Sequence, residues 1–212
     1  ALERGLNVFL FSDNVPIDEE LSLKRHAEDK GLLVMGPDCG TGIIGGAGIG
    51  FANAVRRGPI GVVGGSGTGI QEVTTLVHRW GSGISHAIGT GSRDLSDAIG
   101  GISALQAIGA LDADPATAVI VLVSKPPGSK TLSRIGERLA VCTKPVVTCY
   151  LGVPEDGLDG SVTATHDLDS AAAAAVRLAG GTAVEDGTLD AGLVEKERGL
   201  LSSGQRFLRG VF

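Results

Sequence analysis

The segment from Ile60 to Glu72, IGVVGGSGTGIQE, restricts the fold more than any other part of the chain. Its apolar start, Ile60–Val63, reads as a strand. Gly64, Gly65, Gly67 and Gly69 then give a turn that only glycine-rich backbone follows closely. Beyond the turn, Ile70, Val73, Leu76, Val77 and Trp80 fall on one face of a helix expected over 70–80. A strand, a glycine turn carrying Ser66 and Thr68, and a helix N-terminus make an anion site. Unpaired amide N–H groups point outward there and the helix dipole favours negative charge. The expected centre is a seat for phosphate or an acyl phosphate at 64–70, with Gly65, Ser66, Gly67, Thr68 and Gly69 as its binding residues.

The rest of the chain supplies the frame. Asn7–Phe11 is a continuous apolar strand. Asp18 is expected to N-cap a helix running to about Lys30, and Gly31 and the strand Leu32–Met35 complete a βαβ unit with parallel strands. Gly36–Gly42 (GPDCGTG) follows that strand's C-terminal end, where open α/β sheets hold ligands, and puts Asp38 and Cys39 at the rim. Phe51–Val55 reads as a short edge strand or connector, and Arg56–Pro59 as a domain break. From Ile60 the alternation is regular: strands at 60–64, 83–88, 118–123 and 145–150, and helices at 70–80, near 95–111, 130–141 and 167–179. Near-continuous apolar strands such as AVIVLV and PVVTCY suit a parallel sheet covered on both faces, a three-layer α/β fold. Residues 185–203 read as a polar linker with a short helix.

Composition narrows the function. Glycine is 34 of 212 residues and aromatics only 3%, so the core must be Val, Ile, Leu and Ala, as many βα turns and few aromatics would produce. A net charge of −6 without a basic cluster argues against nucleic acid as partner. No apolar run approaches the ~18 residues of a membrane span. Cysteines at 39, 142 and 149 have no metal-ligand spacing and cannot all pair, which predicts reduced thiols, a cytoplasmic protein and no metal site. The first residues read as the end of a helix and the last, with Arg206 and Arg209 among apolar groups, as having nothing to pack on; the chain reads as a piece of a longer protein.

Three loops should converge on one sheet edge: 64–70, Gly89–Asp94 and Ser124–Gly128. Arg93 in the second is either a ligand contact or an ion-pair partner of Asp94 or Asp97, and Asp94 can cap the following helix. Lys125 in the third either reaches the seat or is solvated beside two prolines. Donors plus two cations suit a phosphorylated or acyl-phosphate group. The turn does not fit G-x-G-x-x-G, lacks the lysine of a P-loop and breaks G-x-S-x-G at Thr68. Cys39, placed in a loop after a strand, is the thiol of interest, with Cys142 and Cys149 read as inert core or near-core residues. His26, His78 and His86 read as structural, while His166, just before the last helix, reads as either surface or site.

Together GPDCG at 36–40, the 61–72 segment, IGTGSRD at 88–94 and KPVV at 144–147 resemble the α subunit of succinyl-CoA synthetase, and more closely the FdrA-type acyl-CoA synthetase-like proteins. The resemblance spans about 7–180. It implies that 1–57 is the C-terminal part of a Rossmann-like CoA-binding domain, 58–184 a flavodoxin-like CoA-ligase domain and 185–212 a linker. The Asp38–Cys39 turn would lie near the thiol end of coenzyme A, with Asp38 in place of the family's Asn, and Ser66–Thr68 would match the turn that receives the phosphate of a phosphohistidine. The family's histidine turn has no counterpart between Gly152 and Val162, and Lys125 stands where the family has a glutamate. His166 is then the nearest candidate carrier, with Arg93, Lys125 and His166 as the catalytic set.

Three functions follow as expectations. The first is part of an acyl-CoA synthetase acting on an acyl phosphate. The second, also implied by the resemblance, is a carbamoyl transfer between carbamoyl phosphate and oxamate in allantoin and purine breakdown. The third is a non-catalytic scaffold or regulatory subunit. Each expects a missing segment or partner subunit, in a homo- or hetero-oligomer.

Overall fold

The computed structural model describes residues 1–152, 162–183, 191–202 and 204. Its smaller sheet is the expected βαβ unit: β1 (Val8–Phe9) and β2 (Val34–Met35) pair in parallel, joined by helix α1 (Ile17–Asp29). Asp18 does not cap α1. Pro16, in an extended conformation, occupies the N-cap, so Asp18 falls inside the first turn with Glu19 and Glu20 and acts on the dipole.

The larger sheet has seven strands in the order β4-β3-β6-β5-β7-β8-β9. Its parallel part comprises β5 (Arg57–Gly64), β6 (Ile84–Gly89), β7 (Val119–Ser124), β8 (Val146–Tyr150) and β9 (Val162–Thr165). Numbered from β5, that order is 2-1-3-4-5, the flavodoxin-like winding. Helices α2 (Gly67–Arg79) and α5 (Leu168–Leu178) cover one face, and α3 (Ile102–Ala113) and α4 (Ser129–Ala140) the other. Alternation along the strands sorts the core: Val62, Val121 and Val123 join Ile70, Val73 and the alanines of α5, while Val63, Ile120 and Leu122 join Ala107, Ile108 and Ile135. Fully buried strands therefore read as unbroken apolar runs. The short helix expected in the linker is α6 (Ala191–Gly199).

Helix α2 begins at Gly67 rather than Ile70, so Gly67 and Gly69 form its first turn, and three further features depart from the sequence reading. Residues 41–50 form an antiparallel hairpin, β3 (Thr41–Ile44) and β4 (Ala47–Gly50), turning on Gly45 and Gly46, both at positive φ as a two-residue hairpin turn requires. Through Ile43 opposite Ala87 it pairs with β6, so a segment expected within 1–57 is an edge of the larger sheet. Helix α3 starts at Ile102, not near 95, because Gly100 and Gly101 both adopt positive φ and hold 92–100 in turns. Strand β9 is the third; its pairing with β8 is a long-range contact that a four-residue half-exposed segment does not announce.

Candidate functional site

Reversal of strand order between β5 and its neighbours β6 and β7 opens a crevice at their C-terminal ends, the place where doubly wound sheets bind ligands. The turn Gly64–Ser66 leads out of β5 into this crevice. Gly65 N donates to Val123 O at 3.1 Å, fixing the turn to β7. Ser66 is the N-cap of α2: its Oγ accepts from Gly69 N at 3.2 Å, and its carbonyl accepts from Ile70 N at 3.0 Å. Gly69 is thus buried and satisfied, not a ligand donor. Gly67 and Thr68, both exposed, keep N–H groups that no described residue accepts, and the dipole of α2 adds to them.

Around this N-terminus lies a cleft of about 330 Å³. Gly65–Thr68 and Gln71 form one wall, Asp38, Gly40, Thr41 and Phe51 another, and Ser92 and Lys125 complete it. The three expected loops do converge. Lys125 lines the cleft with an exposed side chain that makes no hydrogen bond or ion pair to a described residue. Asp38 is exposed on the opposite wall at φ 59, its amide bonded to Ser12 O at 2.9 Å. Asp is one of the few residues that tolerate that left-handed conformation. The cleft presents donors, one cation and one carboxylate, so it suits an anion that also carries a donor or neutral portion.

Three expected site residues do not line this cleft. Cys39 is in the core, with Sγ donating to Thr41 O at 3.5 Å and Gly89 O at 3.4 Å; burial pushes its thiol up to about 11. It is no accessible nucleophile, because the turn directs it inward between the two sheets. Arg93 turns away from the cleft: Nη2 donates to Val15 O at 2.6 Å and lies 2.9 Å from Glu20 Oε2. Neither Asp94 nor Asp97 is its partner. Asp94 is fully buried and does cap α3 from a distance, accepting from Ser103 N (3.2 Å) and Ala104 N (2.9 Å). Asp97 accepts from Thr131 N at 3.0 Å, and that bond leads the causes holding its carboxyl below the usual range. His166 follows β9 and is exposed at the same sheet edge, but it does not line the cleft. Three strand spacings separate β9 from β5, about 14 Å across the sheet. The sequence between Gly152 and Val162, where the resemblance would put a histidine turn, falls on residues outside those described, as do Arg206 and Arg209.

Sequence reasoning missed Thr41, Phe51, Gln71 and Ser92 in the cleft. The Gly45–Gly46 pair between two alternating runs was the available signal for the hairpin that brings in Thr41 and Phe51. It also missed a buried ion cluster beneath the Gly89–Asp94 loop. Lys24 Nζ, fully buried, donates to Asp94 Oδ1 at 2.7 Å and Thr90 O at 3.0 Å, and lies 2.9 Å from Glu20 Oε1. Both Glu20 oxygens are met as ion pairs, by Lys24 and Arg93, at angles outside hydrogen-bond geometry. Two carboxylates and two cations leave the cluster neutral. His26, His78 and His86 are structural as expected, bonded to Glu3, Arg56 N and Gly45 N.

Residues 55–147, from the start of β5 into β8, match the CoA-binding-domain family. The match falls on the larger sheet. Among solved structures, a dinucleotide-forming acetyl-coenzyme A synthetase from Ca. Korarchaeum cryptofilum, in complex with phosphate and ADP, superimposes with a TM-score of 0.62 at 15% identity, over 84% of this chain and 44% of that one. The ATP citrate lyase of Methanothrix soehngenii, in complex with citrate and coenzyme A, gives 0.58 at 21% identity, over 97% and 37%. The chain shares the CoA-ligase fold. A relative in sequence is the uncharacterized protein YahF of Escherichia coli (strain K12), 48% identical over 215 residues, which takes in all of this chain and 42% of YahF. The chain therefore spans less than half the length of each of these proteins. Among the described residues no helix is long and apolar enough to cross a membrane, and no group of three metal-ligating side chains occurs.

Proposed function

We propose that this chain is the anion-holding part of a CoA-ligase-like enzyme, and that its cleft seats the phosphoryl group of phosphate or an acyl phosphate. The observation that carries the reading is the convergence, at the strand-order reversal, of the Gly67 and Thr68 N–H groups with Lys125. The N–H groups and dipole of α2 would stabilise charge on the phosphoryl oxygens, and the ammonium of Lys125 would balance charge growing on the leaving or attacking oxygen. The hydroxyl of Thr68 can donate to the same group; that of Ser66 already accepts from Gly69 N and can still donate outward. Coenzyme A as co-substrate is consistent with the family match, and further residues of a longer chain or a partner subunit would supply the rest of its site.

Calorimetric titration with inorganic phosphate and acetyl phosphate tests this. Lys125→Met should weaken binding at least tenfold and Thr68→Ala several-fold, with no change in fold. Equal heats for wild type and Lys125→Met would sink the proposal, and no heat from any anion would favour a non-catalytic scaffold.

A second reading is favoured by one observation: Lys125 lines the cleft while His166 does not. In it the seat holds carbamoyl phosphate and Lys125 polarises it directly. The nitrogen of the acceptor, oxamate in the FdrA-type proteins, attacks the carbamoyl carbon and the C–O bond to phosphate breaks. Phosphate leaves from the seat and the nitrogen loses its proton to solvent, without a phosphohistidine. Acid-labile phosphate on His166 after incubation with acyl-CoA and phosphate would exclude this version in favour of the first.

A further inference from the structure

The chain has five Phe, one Trp and one Tyr, and two of these seven stand exposed side by side. Phe11 is 53% and Phe51 65% exposed, with ring centroids 5.4 Å apart and planes at 68°. Each comes from a different sheet: Phe11 follows β1, and Phe51 follows β4. The rings overlie Gly40, where an added Cβ would come within 3.4 Å of Phe51 and 4.0 Å of Phe11. The backbone of Phe51 is pinned on both sides, its N–H donating to Gly40 O at 2.8 Å and its carbonyl accepting from Gln71 Nε2 at 2.6 Å. Gly40, Phe51 and Gln71 all line the anion cleft.

A single exposed aromatic ring needs no explanation, but here Phe51, held by its backbone, stands on the wall of the cleft and Phe11 packs edge-to-face against it, which makes a preformed apolar surface beside the cleft. Two phenyl side chains present roughly 300–500 Å² at most. That is short of the ~800 Å² per partner of a stable protein interface, and the residues that share the cleft wall with Phe51, Asp38 and Gln71 among them, are polar. It does match the carbon skeleton of a small molecule whose charged end sits at α2.

We propose that Phe11 and Phe51 form the platform for the carbon portion of the anion seated at Gly67 and Thr68, so that the cleft selects organic phosphates bearing an apolar chain or ring over inorganic phosphate. This rests on the anion-seat reading. The rings cost little ordering on binding, because Phe51 is already fixed by Gly40 and Gln71. Selectivity comes from the apolar increment alone, since phosphate is held the same way throughout the series.

The experiment is a titration of the protein with inorganic, methyl, butyl, hexyl and phenyl phosphate, for wild type, Phe51→Ala, Phe11→Ala and Lys125→Met. Affinity should climb by about two- to fourfold per methylene in wild type. The climb should flatten in both alanine variants, whose affinity for inorganic phosphate should change far less than their affinity for hexyl phosphate. A flat series in wild type, or an equal climb in Phe51→Ala, overturns the platform; if inorganic phosphate still binds and Lys125→Met weakens it, the seat survives. Absence of binding by every member overturns both. Sedimentation on the same samples closes the remaining route: self-association of wild type that Phe51→Ala abolishes would make the pair an interface between copies and overturn the inference.

Discussion

Replacing Lys24 by Met tests the ion cluster that joins the two sheets. Methionine keeps the length of the side chain and removes the ammonium from a fully buried site. Three contacts vanish: the bonds to Asp94 Oδ1 (2.7 Å) and Thr90 O (3.0 Å), and the pairing with Glu20 Oε1 (2.9 Å). Breaking a buried pair by deleting one partner costs roughly 3–5 kcal/mol, because the other charge stays buried. Here both orphaned carboxylates keep support, Asp94 from the Ser103 and Ala104 amides and Glu20 from Arg93. The lower end, about 3 kcal/mol, is therefore expected. For a chain of this length that corresponds to a fall in Tm of about 6–12 °C. Urea denaturation and scanning calorimetry read both quantities. Adding Glu20→Gln restores the charge balance, so the double variant should be more stable than Lys24→Met alone, with a coupling of roughly 0.5–3 kcal/mol. Hydrogen exchange gives a local check: Lys24 holds Thr90 O, and Thr90 N donates to Gly64 O at 2.8 Å, so the Thr90 amide should exchange faster in the variant. A loss under 1 kcal/mol with unchanged exchange at Thr90 would refute the reasoning.

Native protein treated with iodoacetamide at neutral pH should leave Cys39 unmodified until denaturant is added, since its thiol is buried and raised to about 11; mass spectrometry reads the site. Asp38→Asn should raise inorganic phosphate affinity by up to about fivefold, the value of removing one like charge a few ångströms away in water, and Asn tolerates the left-handed backbone at φ 59; weaker binding would show that Asp38 does not face the anion. Gly91→Ala should destabilise by about 3 kcal/mol or more, because its φ is 88 and an added Cβ would run into Pro37 O; chemical denaturation tests it. The Thr117 hydroxyl, then the Ala116 amide, hold the Asp114 carboxyl below the usual carboxylate range. Stability from that lowered value is present above the unfolded pKa of about 3.9 and lost as pH falls through the folded one. Asp114→Asn should thus be less stable than wild type at pH 7, with the gap starting to close only below about pH 4 and vanishing as pH falls through the folded-state pKa, read as urea midpoints.

What the sequence disclosed was whatever local physics decides. The run Ile60–Val63, the glycine turn and the 3.6-residue spacing of Ile70, Val73, Leu76 and Val77 are determined within a dozen residues, and a strand and a helix do form there, although α2 begins at Gly67, three residues before the expected start, so that Gly67 and Gly69 belong to its first turn. The same holds for AVIVLV, since a strand buried on both faces has no other composition. The location of the cleft was legible too, because a parallel α/β alternation fixes the C-terminal edge as the ligand side. Side-chain allegiance was not. Arg93 has Asp94 beside it in sequence and Asp97 four residues on, yet its partner is Glu20, more than seventy positions earlier, across a layer boundary. Nothing in the spacing of α1 marks Glu20 and Lys24 as buried; as an i, i+4 pair among charges they resemble an exposed salt bridge.

The composite nature of the cleft explains why those long-range residues matter to it. On the side facing the smaller sheet, the chain passes within contact distance of itself twice. An added Cβ at Gly89 would meet Cys39 Sγ at 2.5 Å and Thr41 O at 2.6 Å, and Gly91 lies against Pro37. Strand ends from β6 and the Gly36–Thr41 turn can close up only because glycine stands at both positions. The closure brings Asp38, Gly40 and Thr41 opposite α2 and lets the Phe11 ring reach Phe51. Lys24 fixes the far end of the same junction by holding Thr90 and Asp94. The proposed seat at Gly67 and Thr68 belongs to the larger sheet, whereas the opposite wall is built from the Gly36–Thr41 turn and the Phe11 and Phe51 segments where the two sheets meet. Substitution of the apolar residues at that junction, Phe11 and Phe51, should therefore alter which anion binds more than whether one binds, whereas substitution of Lys125 should do the reverse.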